Sequence, residues 1–104
     1  MSRPLRRTGN EFDEARHMPR VFIPALLKSL TGGQEIIDLE GETVRQLIDR
    51  LDARFPGIKS KLCTDTGMIP GLNVAIDGNI SSHGLRQKVS PRSEVHFLPA
   101  IGGG

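Results

Sequence analysis

The sequence contains neither tryptophan nor tyrosine, has a single cysteine, and lacks any long apolar run. With only four phenylalanines, the core must be built mainly from aliphatic side chains. The lone Cys63 cannot form an intramolecular disulfide, which fits a reducing compartment. No segment approaches the roughly 20 apolar residues of a membrane-spanning helix, and residues 1–30 lack the apolar region of a secretory signal. We therefore expect a cytoplasmic protein with no membrane partner.

Charge is also nearly balanced, with a net charge of +2, so nucleic acid is not an expected partner of the domain. The basic excess is local, because five arginines lie within residues 1–20. Residues 1–18 show neither helical nor strand periodicity, which predicts a disordered basic arm. Glu11, Asp13 and Glu14 argue against a mitochondrial presequence. Met18 is an alternative start, since the compact pattern begins just after it.

The first half of the domain predicts two strands and a helix. RVFIP at 20–24 predicts a strand near an edge, because Pro24 ends it. EIIDLE at 35–40 predicts a second strand, and Gly32-Gly33 predicts a short hairpin connection between the two. The clearest helix lies in residues 42–57, with Thr43 and Gln46 as a capping box. Its apolar stripe consists of Val44, Leu47, Ile48, Leu51 and Phe55.

The second half predicts a short helix and two more strands. IKSKLC at 58–63 is the short helix, and LNVAIDGNI at 72–80 is a strand followed by an Asp77-Gly78 turn. Ser90–Ser93 forms another turn. In the final strand, EVHFLPA at 94–100, Val95 and Phe97 face one way and His96 and Leu98 the other.

This order of elements predicts an α+β fold, a four- to five-stranded mixed sheet with one main helix packed on one face. In a β-grasp topology the first and last strands would be neighbours in the centre of the sheet. The predicted boundaries are the arm at 1–18, the β-grasp domain at 19–98 and a flexible functional tail at 99–104.

A conventional active site is hard to assemble from these residues. His17, His83 and His96 are scattered over the arm, a loop and a strand, so we expect no metal site. His83, next to Gly84, is interpreted as a turn residue with an unusual backbone, and His96 as a half-exposed strand residue. Cys63 is either a nucleophile or a buried apolar side chain, and the absence of a motif around it favours the second.

The terminal sequence LPAIGGG has properties that suit a different chemistry. Glycines lack a Cβ atom, so they can pass through a narrow channel in an extended form. A terminal carboxylate can attack the α-phosphate of ATP if a partner aligns the two groups. Sulfur can then attack the resulting acyl adenylate. Glycines with no purpose are the alternative that the tail alone leaves open.

Four segments share an ordered pattern over residues 20–104: VFIPALLKSLTGGQ, LEGETVRQLIDRLDARFPGI, LNVAIDGNI and VSPRSEVHFLPAIGGG. Together they resemble the MoaD/ThiS sulfur-carrier family, ubiquitin-like β-grasp domains that end in Gly-Gly. The resemblance is close to molybdopterin-synthase small subunits in LTGGQ and LPAIGG. The chain departs from the family in its arm and in the turn SPRSE.

The resemblance implies a carrier and not an enzyme. Gly104 would be adenylated by an activating enzyme that uses ATP, and would then become a thiocarboxylate, with Gly103 as the flexible residue before it. No cofactor would be stably bound, and the partners would be the activating enzyme, a sulfur donor and an acceptor enzyme. The implied partner-binding residues are Phe22, Leu98, Pro99, Ala100, Ile101 and Gly102.

Three destinations for the sulfur are open. Molybdopterin synthesis ranks first, followed by thiamine thiazole and cysteine-type biosynthesis. The alternatives to sulfur transfer are a ubiquitin-like interaction module with an unmodified terminus and a ubiquitin-like conjugate to lysines.

Overall fold

The computed structural model describes residues 18–99, so the predictions on the arm and on Ala100–Gly104 lie outside the described residues. Five strands and two α-helices follow one another in the order β1 Arg20–Phe22, β2 Ile36–Asp38, α1 Val44–Arg54, α2 Lys59–Leu62, β3 Leu72–Ile76, β4 Asn79–Ile80 and β5 Glu94–Pro99. Two 3-10 helices, Ala25–Thr31 and Gly84–Arg86, lie in the connections. No helix within residues 18–99 is long and apolar enough to cross a membrane.

The strands form one mixed sheet in the order β2-β1-β5-β3-β4. The first and last strands are parallel neighbours, with Val21 opposite Val95, and the remaining pairs are antiparallel. The predicted α+β class and the central pairing of the first and last strands are therefore confirmed. The arrangement places β5 between two partners, because it pairs with β1 on one side and β3 on the other.

Helix α1 buries the predicted apolar stripe in the core. Val44, Leu47, Ile48 and Leu51 are buried, whereas Phe55 is half-buried at the end of the helix. The stripe packs in a single aliphatic cluster with residues from the inward-facing side of the sheet, namely Val21, Ile37, Val74, Val95 and Phe97. Alternation along each strand and helical periodicity in α1 thus lead to the same core.

The start of α1 has a modified capping box. The Gln46 backbone N–H donates to Thr43 Oγ1 at 3.2 Å, as predicted. The Gln46 side chain reaches back to the backbone N–H of Glu42, which donates to Oε1 at 2.7 Å, and not to that of Thr43. Two donors at the helix start are satisfied in this way.

The connection between β1 and β2 corrects two predictions. It contains the 3-10 helix Ala25–Thr31, so it is not a short Gly-Gly hairpin. Gly32 and Gly33, with φ values of 67° and 89°, instead end that helix, a conformation that suits residues without a Cβ atom. The strand β1 is an interior strand, second from the edge of the sheet, and Pro24 lies beyond its last residue. Pro24 therefore removes no hydrogen bond from the sheet.

The predicted turns are present, with one correction. Asp77 and Gly78 join β3 to β4, and both have positive φ, 52° and 89°, as a type I′ turn requires. The turn at Ser90–Ser93 closes with a backbone hydrogen bond of 3.0 Å from Ser93 to Ser90. The unusual backbone assigned to His83 belongs to Gly84, since φ is −103° at His83 and 54° at Gly84.

Candidate functional site

The last strand carries the chain to one end of the sheet. Because β1 and β5 are parallel, their C-terminal ends point to the same end, which we call the exit end. Leu98 is 38% exposed and Pro99, the last described residue, is also exposed. Pro99 lies opposite Leu72 at the start of β3, so strand pairing holds the chain as far as its last described residue. Ala100, Ile101, Gly102, Gly103 and Gly104 lie outside the described residues.

The side of the sheet that faces away from the core carries a second set of apolar side chains, which we call the open face. The strand register places one residue from each strand in a row across it: Ile36, Phe22, His96, Ala75 and Ile80. Leu98 lies on the same side, two residues beyond His96 along β5. Ile36 and Ile80 are 47% and 63% exposed.

An aromatic pair lies in the middle of the open face. The rings of Phe22 and His96 are stacked with centroids 4.0 Å apart and an interplanar angle of 11°. Both residues are half-buried, which confirms the interpretation of His96 as a half-exposed strand residue. The fold therefore brings Phe22 and Leu98, two of the predicted contact residues, to the same side of the sheet. Their contact with a partner stays a prediction.

The open face changes character along the strands. At the end away from the exit, Asp38, Arg20 and Glu94 form the corresponding row, and Arg20 Nε lies 3.0 Å from Asp38 Oδ1. The row nearer the exit end, which contains Ile36, Phe22 and His96, is apolar and aromatic. A charged margin next to an apolar centre is typical of protein–protein contact surfaces.

Sequence reasoning missed Ile36 and Ile80 as members of this surface. Their alternation with inward-facing neighbours was a usable signal only for Ile36, next to Ile37. A two-residue strand such as β4 shows no alternation. Knowing that both align with Phe22 and His96 requires the strand order and register.

Cys63 lies in the core, where its exposed fraction is 6%. Burial raises the pKa of its thiol, although the nearby Lys59 ammonium acts in the opposite direction. Because a thiolate is the reactive form of cysteine, this environment opposes the nucleophile hypothesis and favours the buried apolar role. Within residues 18–99, no group of three or more His, Cys, Asp or Glu side chains is arranged to hold a metal ion.

Known proteins have similar sequences and the same fold. The sulfur carrier protein CysO of Mycobacterium tuberculosis and of Mycobacterium bovis is 32% identical over 91 residues, which cover 81% of this chain and 96% of the relative. A chain in the crystal structure of the Amycolatopsis orientalis BexX/CysO complex has 32% identity and a TM-score of 0.75, covering 83% of this chain and 99% of its own length.

A more distant structure shows the fold alone. It is a putative molybdopterin converting factor, subunit 1, from Pyrococcus furiosus, with 20% identity, a TM-score of 0.62 and coverage of 80% of this chain and 97% of that one. The ThiS family model matches residues 21–104, which include all of the sheet except Arg20 at the start of β1, and the Gly-Gly end. On this match and on the identity to CysO, the chain belongs to the ThiS family.

Proposed function

We propose that the protein is a sulfur carrier whose Gly104 carboxylate is adenylated and converted to a thiocarboxylate. The observation that carries this proposal is that the family match extends through Gly104, while the strand before it is held in the centre of the sheet. The related CysO proteins bear the name of sulfur carriers. The domain itself then needs no catalytic group.

The chemistry requires two displacements in a partner's active site. A carboxylate oxygen of Gly104 attacks the α-phosphorus of ATP, and pyrophosphate leaves. A sulfur donor at the oxidation level of hydrosulfide then attacks the acyl carbon, AMP leaves, and one proton is released from the thioacid to give the thiocarboxylate. The partner supplies alignment and charge stabilisation. No cofactor is stably bound to the carrier in this scheme, and ATP is bound by the partner.

The fold suits the presentation of a reactive terminus. Strand β5 is paired with β1 over Glu94–His96 and with β3 as far as Pro99, so strand pairing fixes the point from which the tail leaves. Glycine at 102, 103 and 104 leaves the last three residues without Cβ atoms. A strand held by its pairing and a terminus without side chains together allow a partner to recognise the domain and to admit only its terminus.

The comparisons change the order of the proposed sulfur acceptors. The relatives at 32% identity are CysO proteins, whereas the likeness to a molybdopterin converting factor supports only the fold. We therefore place cysteine-type biosynthesis, as the destination of the sulfur, ahead of molybdopterin and thiazole synthesis. The BexX/CysO complex provides a precedent for a carrier of this kind that binds a partner protein.

Intact-mass spectrometry tests the proposal directly. The chain is incubated with the adenylating enzyme of its source organism, ATP and a sulfide donor, and the expected gain is about 16 Da, from replacement of one oxygen by sulfur. Deletion of Gly103 and Gly104 should abolish this gain. Gly102→Ala is the matched control and should keep it, because the family commonly has alanine at that position. Sulfur acceptance by the deletion variant would show the proposal to be wrong.

The same reaction separates the alternatives that the sequence left open. An interaction module would bind its partner without any change in mass. A lysine conjugate would appear as a covalent adduct with the mass of a second protein.

A further inference from the structure

A groove between the end of β2 and helix α1 lies beside the point where the arm joins the domain. It has a volume of about 390 Å³, and Met18 is one of the residues that line it. We propose that the arm of the same chain docks in this groove, with the Phe12 ring against its apolar lining and with Asp13 and Glu14 next to its two arginines. We call it the arm groove.

The arm is the part of the chain that the carrier function leaves without a role. Residues 1–17 lie outside the described residues, and the ThiS family match begins at residue 21. The docking is therefore independent of sulfur transfer. Because the arm shows neither helical nor strand periodicity, we expect it to bind through a few side chains and not as an added strand.

Hydrogen bonds fix the start of the domain next to the groove. Pro19 is fully buried, and its carbonyl oxygen accepts a hydrogen bond of 3.1 Å from the backbone N–H of Leu39. The Arg20 N–H donates to the Ser93 carbonyl oxygen at 2.9 Å. Met18, which directly follows the arm, is half-buried and lines the groove. The arm thus joins the domain at the groove itself.

The apolar lining of the arm groove suits an aromatic ring. Met18, Leu39 and Ala53 supply this lining, and Ala53 is exposed on α1. Phe12 is the only phenylalanine of the arm, and it precedes Met18 by six positions, which an extended chain spans in at most about 20 Å. Burial of an aromatic ring removes a large apolar area from water. Phe12 is therefore the side chain of the arm that gains most from entering the groove.

The helix side of the groove is basic. Arg50 and Arg54 lie one turn apart on α1, both are exposed, and neither takes part in an ion pair within residues 18–99. The lining also has two carboxylates. Asp38 is held by Arg20 at 3.0 Å, which leaves Glu40 as the only carboxylate of the lining without an ion pair in that range. The positive charge at the helix is thus balanced only in part.

The arm carries the complementary charge at the right position. Asp13 and Glu14 directly follow Phe12 in the sequence. A ring held against the apolar lining therefore brings two carboxylates to the side of the groove where two arginines lack partners. Opposite charges in contact at a surface add a modest, salt-dependent attraction, so we assign most of the docking to the ring and its position to the charges.

The location gives the docking a structural consequence. Asp38, which lines the groove, is the last residue of β2, and β2 is an edge strand of the sheet. An uncovered edge can pair with a strand of another chain. A docked arm covers the end of this edge.

Nuclear Overhauser effects in the full-length chain test the docking directly. We expect cross-peaks between the ring protons of Phe12 and the methyl group of Ala53, which is far from Phe12 in the sequence. Phe12→Ser should remove them and shift the amide resonances of Leu39 and Ala53. Leu5→Ser is the matched control, because it also replaces a large apolar residue of the arm. It should keep the cross-peaks and leave both amide resonances in place.

Charge reversal tests the position of the two carboxylates. Replacement of both arginines, Arg50→Glu with Arg54→Glu, should lower the intensity of the cross-peak between Phe12 and Ala53 by about twofold or more. Adding Asp13→Arg and Glu14→Arg to the same chain should restore it. An unchanged intensity in the first variant overturns the assigned position of Asp13 and Glu14.

Three results overturn the docking itself. One is the absence of cross-peaks between Phe12 and Ala53 in the wild-type chain. Another is a shift of the groove resonances by Leu5→Ser as large as that by Phe12→Ser, because the effect of the arm would then not depend on the ring. The third is a cross-peak that arises only between differently labelled chains in a mixed sample, which would place the arm of a second copy in the groove. None of these results affects the intact-mass test of sulfur transfer.

Discussion

The two sides of the sheet are built from the same five strands, but they differ in how far their side chains are buried. On the inward-facing side, Val21, Val74 and Val95 are fully or almost fully buried beneath α1. On the open face, Ile36 and Ile80 stay largely exposed. Alternation alone makes both sides partly apolar. The difference lies in what covers them, since the chain supplies a helix for one side only within its described residues.

This difference separates residues that hold the fold from residues available for recognition. The inward side has a closed aliphatic cluster, in which a change of one side chain affects many neighbours. The open face has exposed apolar side chains, such as Ile36 and Ile80, with few neighbours to lose. Stability and function can therefore be changed almost independently in this protein, and three predictions test that separation.

The largest effect is expected from neighbouring residues in β5 that face opposite sides. Val95→Asp buries an unpaired carboxylate at a fully buried position, which we expect to cost at least about 3–5 kcal/mol. This is a large part of the total stability of a small domain. His96→Asp, one residue further along, should cost about 1 kcal/mol through loss of the ring stack on Phe22. Urea unfolding measures both, and equal losses would contradict the assignment of the two sides.

An intermediate loss of stability is expected at the start of α1, the helix that covers the inward-facing side of the sheet. Thr43→Ala removes the side-chain acceptor for the Gln46 N–H and should lower the free energy of unfolding by about 1 kcal/mol. Ser82→Ala serves as its control, because Ser82 is exposed and its hydroxyl has no hydrogen-bond partner within residues 18–99. A loss in the control as large as that in Thr43→Ala would show that the cap contributes nothing specific.

The smallest effect concerns the exposed ion pair between Lys28 and Glu35. The hydrogen bond from the Lys28 ammonium, with its charge, lowers the pKa of the Glu35 carboxyl. Its contribution to stability is thus present above the unfolded pKa of about 4.3 and is lost as the pH falls through the lower folded value. Carbon NMR of the Glu35 carboxyl should show this depressed pKa, and Lys28→Met should return it toward the ordinary range. Identical titration of the two proteins would show that the pair does not form in solution.

Much of the fold was predictable because its signals are local. The stripe in α1, the cap at Thr43 and the two positive φ values at Asp77-Gly78 each depend on residues a few positions apart. The 3-10 helix between β1 and β2 was missed for the same reason. Its seven residues carry no clear periodicity, and its stability depends on Thr31, whose buried hydroxyl could not be recognised from sequence.

The candidate site was predictable only in part. The terminal glycines, Leu98 and Phe22 follow from motif resemblance and strand alternation. The proximity of Phe22 to His96 does not, because these residues are far apart in the chain and meet through the parallel pairing of β1 with β5.

By itself, the sequence determined the elements, the aliphatic core and the family, because periodicity, caps and ordered motifs are properties of neighbouring residues. Only the tertiary structure decided which apolar residues remain uncovered and which of them share the open face. The physical reason is that exposure and proximity depend on long-range strand pairing, in which residues such as Phe22 and His96 become neighbours only after the whole sheet has formed.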